Sequence, residues 1–155
     1  MTVNAYVERG AVLERYHTYA WGPADAFSTG DPRLDNNPFF TGSIREQVDS
    51  QLGARRFERT DASPDLLVHV HVNVKQQVDV RTLDRDVTSC EYEDCRPFIF
   101  DAGTLFIDLV DPRTKTLVWR GWAEASFDGL IDRQEWMEKR VDEVVRRIMQ
   151  RLPRV

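Results

Sequence analysis

At 155 residues, with 41% hydrophobic and 30% charged side chains, the chain is sized and composed for one compact domain over residues 1–155 that buries about 68–70% of its unfolded surface. No apolar run approaches the ~20 residues a membrane helix needs, and a net charge of -5 opposes attraction to phosphate backbones, so a bilayer span is excluded and a nucleic-acid partner is not expected. The opening Met1-Thr2-Val3-Asn4 has no basic region followed by an apolar stretch, which leaves either a cytosolic protein or one whose export signal is absent from this chain.

Val3 to Val7 and Tyr16 to Trp21 read as short strands, with Glu8-Arg9-Gly10 as a turn between them. Gly22 to Thr41 carries Pro23, Gly30, Pro32 and Pro38 among Asp and Asn residues and reads as a long connection, the kind of loop that often carries function. Ser43-Ile44-Arg45-Glu46 fits a capping box, after which Ile44, Val48 and Leu52 recur every fourth residue on one helix stripe. This helix is expected to start at Ser43 and stop by Arg59, and Pro64 prevents its continuation.

From Leu66 the pattern alternates: Leu66, Val68, Val70, Val72, Val74, Val78 and Val80 on one side, His69, His71, Asn73, Lys75, Gln77 and Asp79 on the other, as in a long half-solvated antiparallel strand. Arg81 to Arg96 is charged and loop-like. Phe98 to Val110 and Thr116 to Asp128 then form a hairpin about an Asp-Pro turn. Leu105, Ile107, Leu109, Leu117, Trp119, Ala123 and Phe127 recur at period two as a buried face, and Phe106, Asp108, Arg120, Trp122 and Glu124 collect on the opposite one. If Asp111 and Lys115 close the loop, odd positions pair with odd. Asp132-Arg133-Gln134-Glu135 starts a second helix whose Met137, Val141, Val144, Val145, Ile148 and Leu152 make an apolar stripe ended by Pro153, with Arg146, Arg147 and Arg151 at its negative end. These elements predict an α+β domain: a two-layer antiparallel sheet with two helices packed on one face.

Several segments taken in order resemble a bacterial envelope family, mostly lipoproteins, known as domain of unknown function forty-one thirty-six. They are Tyr16 to Trp21, Asp31 to Asn36, Pro64 to Val68, and the hairpin from Gly103 to Leu109 through Thr116 to Glu124, of which the last is the most specific. The resemblance implies an exported domain, in the periplasm or lipid-anchored at the outer membrane, with no established activity and no catalytic residues to carry over. The sequence departs from the pattern twice: no lipid-attachment cysteine precedes Thr2, so membrane association needs an anchor this chain lacks, and Arg55-Arg56-Phe57 stands where a glycine turn is expected after the first helix.

Each candidate site has a plainer reading beside it. Cys90 and Cys95 sit in the polar run SCEYEDC and in an oxidising compartment would form a small local disulfide if their Cα atoms lie within about 7 Å. Two free thiols are the alternative, and Glu91, Glu93 and Asp94 would raise the thiol pKa rather than activate it. His69 and His71, two apart on one strand, have a spacing that can chelate zinc or copper, but as part of a solvated face they need no metal. A site shared with the cysteines is unfavourable, because a strand continuing to Val80 leaves that loop about 30 Å beyond His71 at roughly 3.3 Å per residue. Asp108 and Glu124 could form an acid–base pair, yet Arg120 between them favours a surface ion-pair cluster worth about 0–1 kcal/mol.

No nucleophile elbow, dinucleotide fingerprint or phosphate loop occurs, and no motif calls for a cofactor. The leading candidate is a binding face of Phe98, Phe100, Phe106, Arg120 and Trp122, overhung by the loop around Arg33 and Asp35, because rings beside an arginine are the composition of binding hot spots. The alternative is that the N-terminal strands or the long loop cover those rings as a second core, with Arg33 and Asp35 a loop-pinning pair. The resulting expectation is a non-enzymatic envelope domain binding a protein, lipid or glycan partner. A small metal-dependent or carboxylate-based hydrolase using His69 and His71 is the alternative, and an assembly scaffold a third.

Overall fold

The computed structural model describes residues 1–23, 32–35, 37–78, 99–126 and 133–153. Its strands are β1 (Thr2–Val7), β2 (Thr18–Trp21), β3 (Glu58–Arg59), β4 (Leu66–Val78), β5 (Ile99–Asp111) and β6 (Thr116–Ser126). Its helices are α1 (Pro32–Asp35), α2 (Pro38–Ala54) and α3 (Gln134–Met149), with a 3-10 turn at Leu13–Arg15. The strands form one six-stranded sheet in the order β1-β6-β5-β4-β2-β3, and α2 and α3 pack on one face of it, an α+β fold.

The sheet is mixed rather than wholly antiparallel. β1, β6, β5 and β4 pair antiparallel in succession, but β2 lies parallel to β4 on its other edge, with Tyr19 opposite Leu66 and Trp21 opposite Val68. A parallel pair needs a crossover of a dozen or more residues, and α2 between β2 and β4 supplies it. The clip at the strand entrance is polar: the His17 and Thr18 amides donate to Asp65 Oδ2 at 2.8 and 3.2 Å, and the Asp65 amide donates back to Thr18 Oγ1 at 2.9 Å.

The turn at Glu8 to Gly10 forms, with Gly10 at φ +85°, but the strands on either side of it do not pair. β1 lies beside β6, with Val3 opposite Ala123 and Val7 opposite Trp119, while β2 lies beyond β4.

α2 begins at Pro38, five residues before the expected start at Ser43. Asn37 caps it by accepting from the Phe40 amide at 3.1 Å, and Pro38 occupies the first turn, where its missing N–H costs nothing. Ser43 is therefore a helix-interior residue, and the buried stripe gains Phe40 ahead of Ile44, Val48 and Leu52. The helix ends as a Schellman turn without glycine: Phe57 N bonds Leu52 O, Arg56 N bonds Gly53 O, both at 3.0 Å, and Arg56 takes φ 66°. α3 ends at Met149, ahead of Pro153, and buries Met137, Val141, Val144, Val145, Ile148 and Met149. Leu152 is buried just beyond it.

The hairpin register differs from the expected one by two residues. Asp111 pairs with Thr116, and a bulge then restores odd-with-odd pairing, so that Leu109 faces Trp119 and Asp108 faces Arg120. Because the side-chain period is two, this displacement leaves the described residues paired beyond the bulge on their expected faces. Within the bulge the assignment changes: Val118 is buried and Leu117 only half-buried.

The helix-side face holds Val68, Val70, Ile107, Leu109 and Trp119, which have almost no exposure. Gly121 matters here, because a Cβ at that position would run into the Trp119 indole and Ile148 Cγ2 on α3. The missing side chain lets the indole lie along the sheet beneath the helix. Among the described residues the Trp119 Nε1 donor has no partner.

Candidate functional site

The register sets the opposite face of the sheet in cross-strand rows. His71, Phe106, Trp122 and Asn4 stand side by side on β4, β5, β6 and β1, and the adjacent row is His69, Asp108, Arg120 and Tyr6. Both helices lie on the other side, and β1, a candidate cover for the rings, instead extends the sheet in plane. Phe106, Arg120 and Trp122 are half-buried, while Tyr6 is 45% exposed.

Phe106 and Trp122 stack offset, with ring centroids 6.4 Å apart and planes inclined by 27°. The Arg120 guanidinium sits 5.5 Å above the Phe106 ring, within cation–π range. Two of its donors go to one carboxylate: Nε to Asp108 Oδ1 at 2.7 Å and Nη2 to Oδ2 at 2.8 Å, a bidentate fork. These hydrogen bonds push the Arg120 pKa above its ordinary value, against the opposing effect of burial, and keep the guanidinium charged.

The Asp108 side chain is only 5% exposed, so this is not the solvated surface cluster expected of Asp108, Arg120 and Glu124. Glu124 is exposed and pairs across the strands with Thr104 and Thr2. Asp108 is instead a buried anchor that fixes the arginine among the rings. The Arg120 side chain remains 40% exposed, with N–H donors still free of Asp108.

His71 Nε2 lies 3.6 Å from Asp108 Oδ2, beyond a good hydrogen bond but within ion-pair reach when the imidazole is protonated. His69 and His71 stack with centroids 6.5 Å apart and planes 5° from parallel. His69 also lies directly against Gly22, leaving no room there for a Cβ. Among the described residues no three His, Cys, Asp or Glu side chains gather in a way that could hold a metal ion.

Arg33 and Asp35 sit on α1, where the intervening Leu34 is fully buried in the core shared with α2 and α3. The buried Leu34 thus anchors that short helix to the core that α2 and α3 share. Phe100 lies on β5 opposite Gln77. Phe98, Cys90, Cys95, Phe127 and Asp132 lie outside the described residues.

Asn4 and Tyr6 join the face only because β1 docks on β6, and no local pattern in the sequence announces that pairing. The Tyr6 hydroxyl donates to Glu8 Oε2 at 2.6 Å, and that hydrogen bond, ahead of slight burial, raises its pKa. The face is a shallow aromatic platform with a fixed cation at its centre. Such a surface can stack a planar or apolar ligand face while directing N–H donors at an acceptor beside it.

The same architecture occurs in solved proteins of low identity. A PDZ domain protein from Parabacteroides distasonis superposes with a TM-score of 0.58 at 17% identity over 97% of this chain, which spans only 35% of that protein's length. A DUF4136 family protein from Bacteroides thetaiotaomicron gives 0.53 at 10% identity, covering 98% of this chain and 95% of that one. A minor lipoprotein from Acinetobacter baumannii gives 0.50 at 11% identity, covering 91% and 99%. No curated protein sequence matches the chain. No described helix is long and apolar enough to cross a membrane. The model of the domain of unknown function DUF4136 matches residues 3–154, from β1 past the end of α3, and the chain therefore belongs to that family.

Proposed function

We propose that this chain is a non-enzymatic accessory domain of the bacterial cell envelope. In this reading it is exported to the periplasm, or held at the outer membrane by a lipid anchor outside this chain, and captures an envelope protein, lipid or glycan through the open face of its sheet. The observation that carries the reading is the paired rows of that face, where Phe106 and Trp122 stack beside an arginine locked by a buried carboxylate. Rigid rings around a pre-oriented cation lose little freedom on binding. Family membership and the fold shared with a protein described as a minor lipoprotein support the envelope setting.

The test is retention of solubilised envelope components, and of immobilised envelope glycans and lipids, on the purified protein. Trp122→Ala should abolish retention, whereas Trp136→Ala, which alters a 62% exposed tryptophan on α3, should leave it intact. Equal retention by both variants, or none by the unaltered protein, would remove the face from consideration.

A further inference from the structure

A groove at the C-terminal end of α3 lies apart from the aromatic face. It is an open concavity of about 480 Å³ lined by Arg146, Arg147, Gln150 and Arg151, with Met1 and Val3 at the β1 end as its other border. The helix dipole explains why cations are favoured in this last turn. It does not explain why three of them border one groove.

Their pairing is incomplete. Arg147 Nη2 lies 3.5 Å from Glu143 Oε1, and Glu143 is shared with Arg140 at 3.2 Å. Arg146 and Arg151 make no ion pair or side-chain hydrogen bond among the described residues. Two exposed guanidinium forks without a side-chain partner among the described residues thus border the same concavity, in a protein whose net charge is -5. A planar fork matches the oxygens of a tetrahedral oxyanion two at a time, and the groove's size is that of a small-ligand site.

We infer that this groove binds a phosphate group, held by Arg146 and Arg151 with Arg147 beside them. A phospholipid headgroup and a soluble phosphate ester present the same chemistry and are separated by the probe. Binding is measured by co-sedimentation with phosphatidylglycerol-containing phosphatidylcholine vesicles, against phosphatidylcholine alone, and by calorimetric titration with inorganic pyrophosphate. Binding confined to the anionic vesicles assigns the site to lipid, and pyrophosphate binding assigns it to soluble phosphates.

In either case Arg146→Gln with Arg151→Gln should weaken binding by roughly tenfold to thirtyfold. The charge-matched Arg9→Gln with Arg133→Gln, on exposed residues at the far ends of β1 and α3, should weaken it by less than about twofold, because at about 1.5 Å per helical residue Arg133 lies roughly 20 Å from the groove. Arg146→Lys with Arg151→Lys keeps the charge but loses the fork and should fall between the two. No binding to either probe, or equal weakening in the two glutamine pairs, would overturn the assignment.

Discussion

Arg120 holds Asp108 through two parallel hydrogen bonds, Nε to Oδ1 at 2.7 Å and Nη2 to Oδ2 at 2.8 Å, directly across the β5–β6 pair. The carboxylate is buried and the guanidinium is not, so the two residues are not interchangeable. Arg120→Ala strands a desolvated charge and should cost about 2–4 kcal/mol, whereas Asp108→Asn frees an arginine that water can reach and should cost about 1–2 kcal/mol. The double variant should be less damaging than the sum, with a coupling of at least about 1 kcal/mol in urea unfolding. Additive losses would mean that the pair does not act as a unit. The asymmetry also makes Trp122→Ala the cleaner probe of binding, since Arg120 has a structural role.

Gly121 leaves the space that the Trp119 indole and Ile148 of α3 occupy against the sheet. Gly121→Ala forces a Cβ against the indole and Ile148, and overpacking of this kind should lower stability by about 1–3 kcal/mol. The denaturation midpoint should fall with an unchanged slope, because the surface exposed on unfolding is the same. Combining it with Trp119→Phe, which shrinks the opposing ring, should cost less than the two changes added together.

What was legible in the sequence was what burial writes locally. The alternation through Val68, Val70 and Val72 and the fourfold spacing of Ile44, Val48 and Leu52 report a face against a core whatever the neighbours are. The hairpin's sidedness survived a wrong register because displacement by two keeps parity. Pairing between distant segments was not legible: nothing in Thr2–Val7 points to β6, and nothing in Thr18–Trp21 distinguishes a hairpin from the parallel crossover it makes with β4. The start of α2 was misplaced, because the capping-box pattern at Ser43 is only local, whereas the start capped by Asn37 at Pro38 places the buried Phe40 on the stripe. The candidate face followed the same division: Phe106, Arg120 and Trp122 came from parity, whereas Tyr6 and Asn4 depended on long-range pairing.

Arg56 occupies a left-handed position, φ 66°, that glycine would fill without strain. For a residue with a Cβ that conformation costs roughly 1–2 kcal/mol, while glycine gives back about 0.4–1 kcal/mol through the greater freedom of the unfolded chain. Arg56→Gly should therefore raise stability by up to about 1 kcal/mol. Arg56→Ala, which keeps the Cβ, should give no such gain. Chemical denaturation of the two variants decides the matter, and an equal gain from alanine would mean that loss of the arginine charge, rather than relief of the backbone, is responsible.

Asp65 links acid stability to the parallel strand pair. Its carboxyl pKa is lowered from the ordinary 3.8, chiefly by the His17 amide and further by the Thr18 amide and hydroxyl, against a smaller opposing effect of burial. A carboxylate whose pKa is lower folded than unfolded contributes stability that is fully present above the unfolded value and is lost as pH falls through the folded one. Asp65→Ala should cost about 1–2 kcal/mol at neutral pH by removing two charge-assisted hydrogen bonds at the mouth of β2 and β4. The gap between this variant and the unaltered protein should hold steady down to about pH 5, begin to narrow near the unfolded value of 3.8, and close only below the lower folded value, where both proteins carry an uncharged group at this position. Thermal melts of the two proteins across that range provide the measurement. A gap that stays constant into strong acid would show that the carboxylate's charge is not what secures β2 against β4.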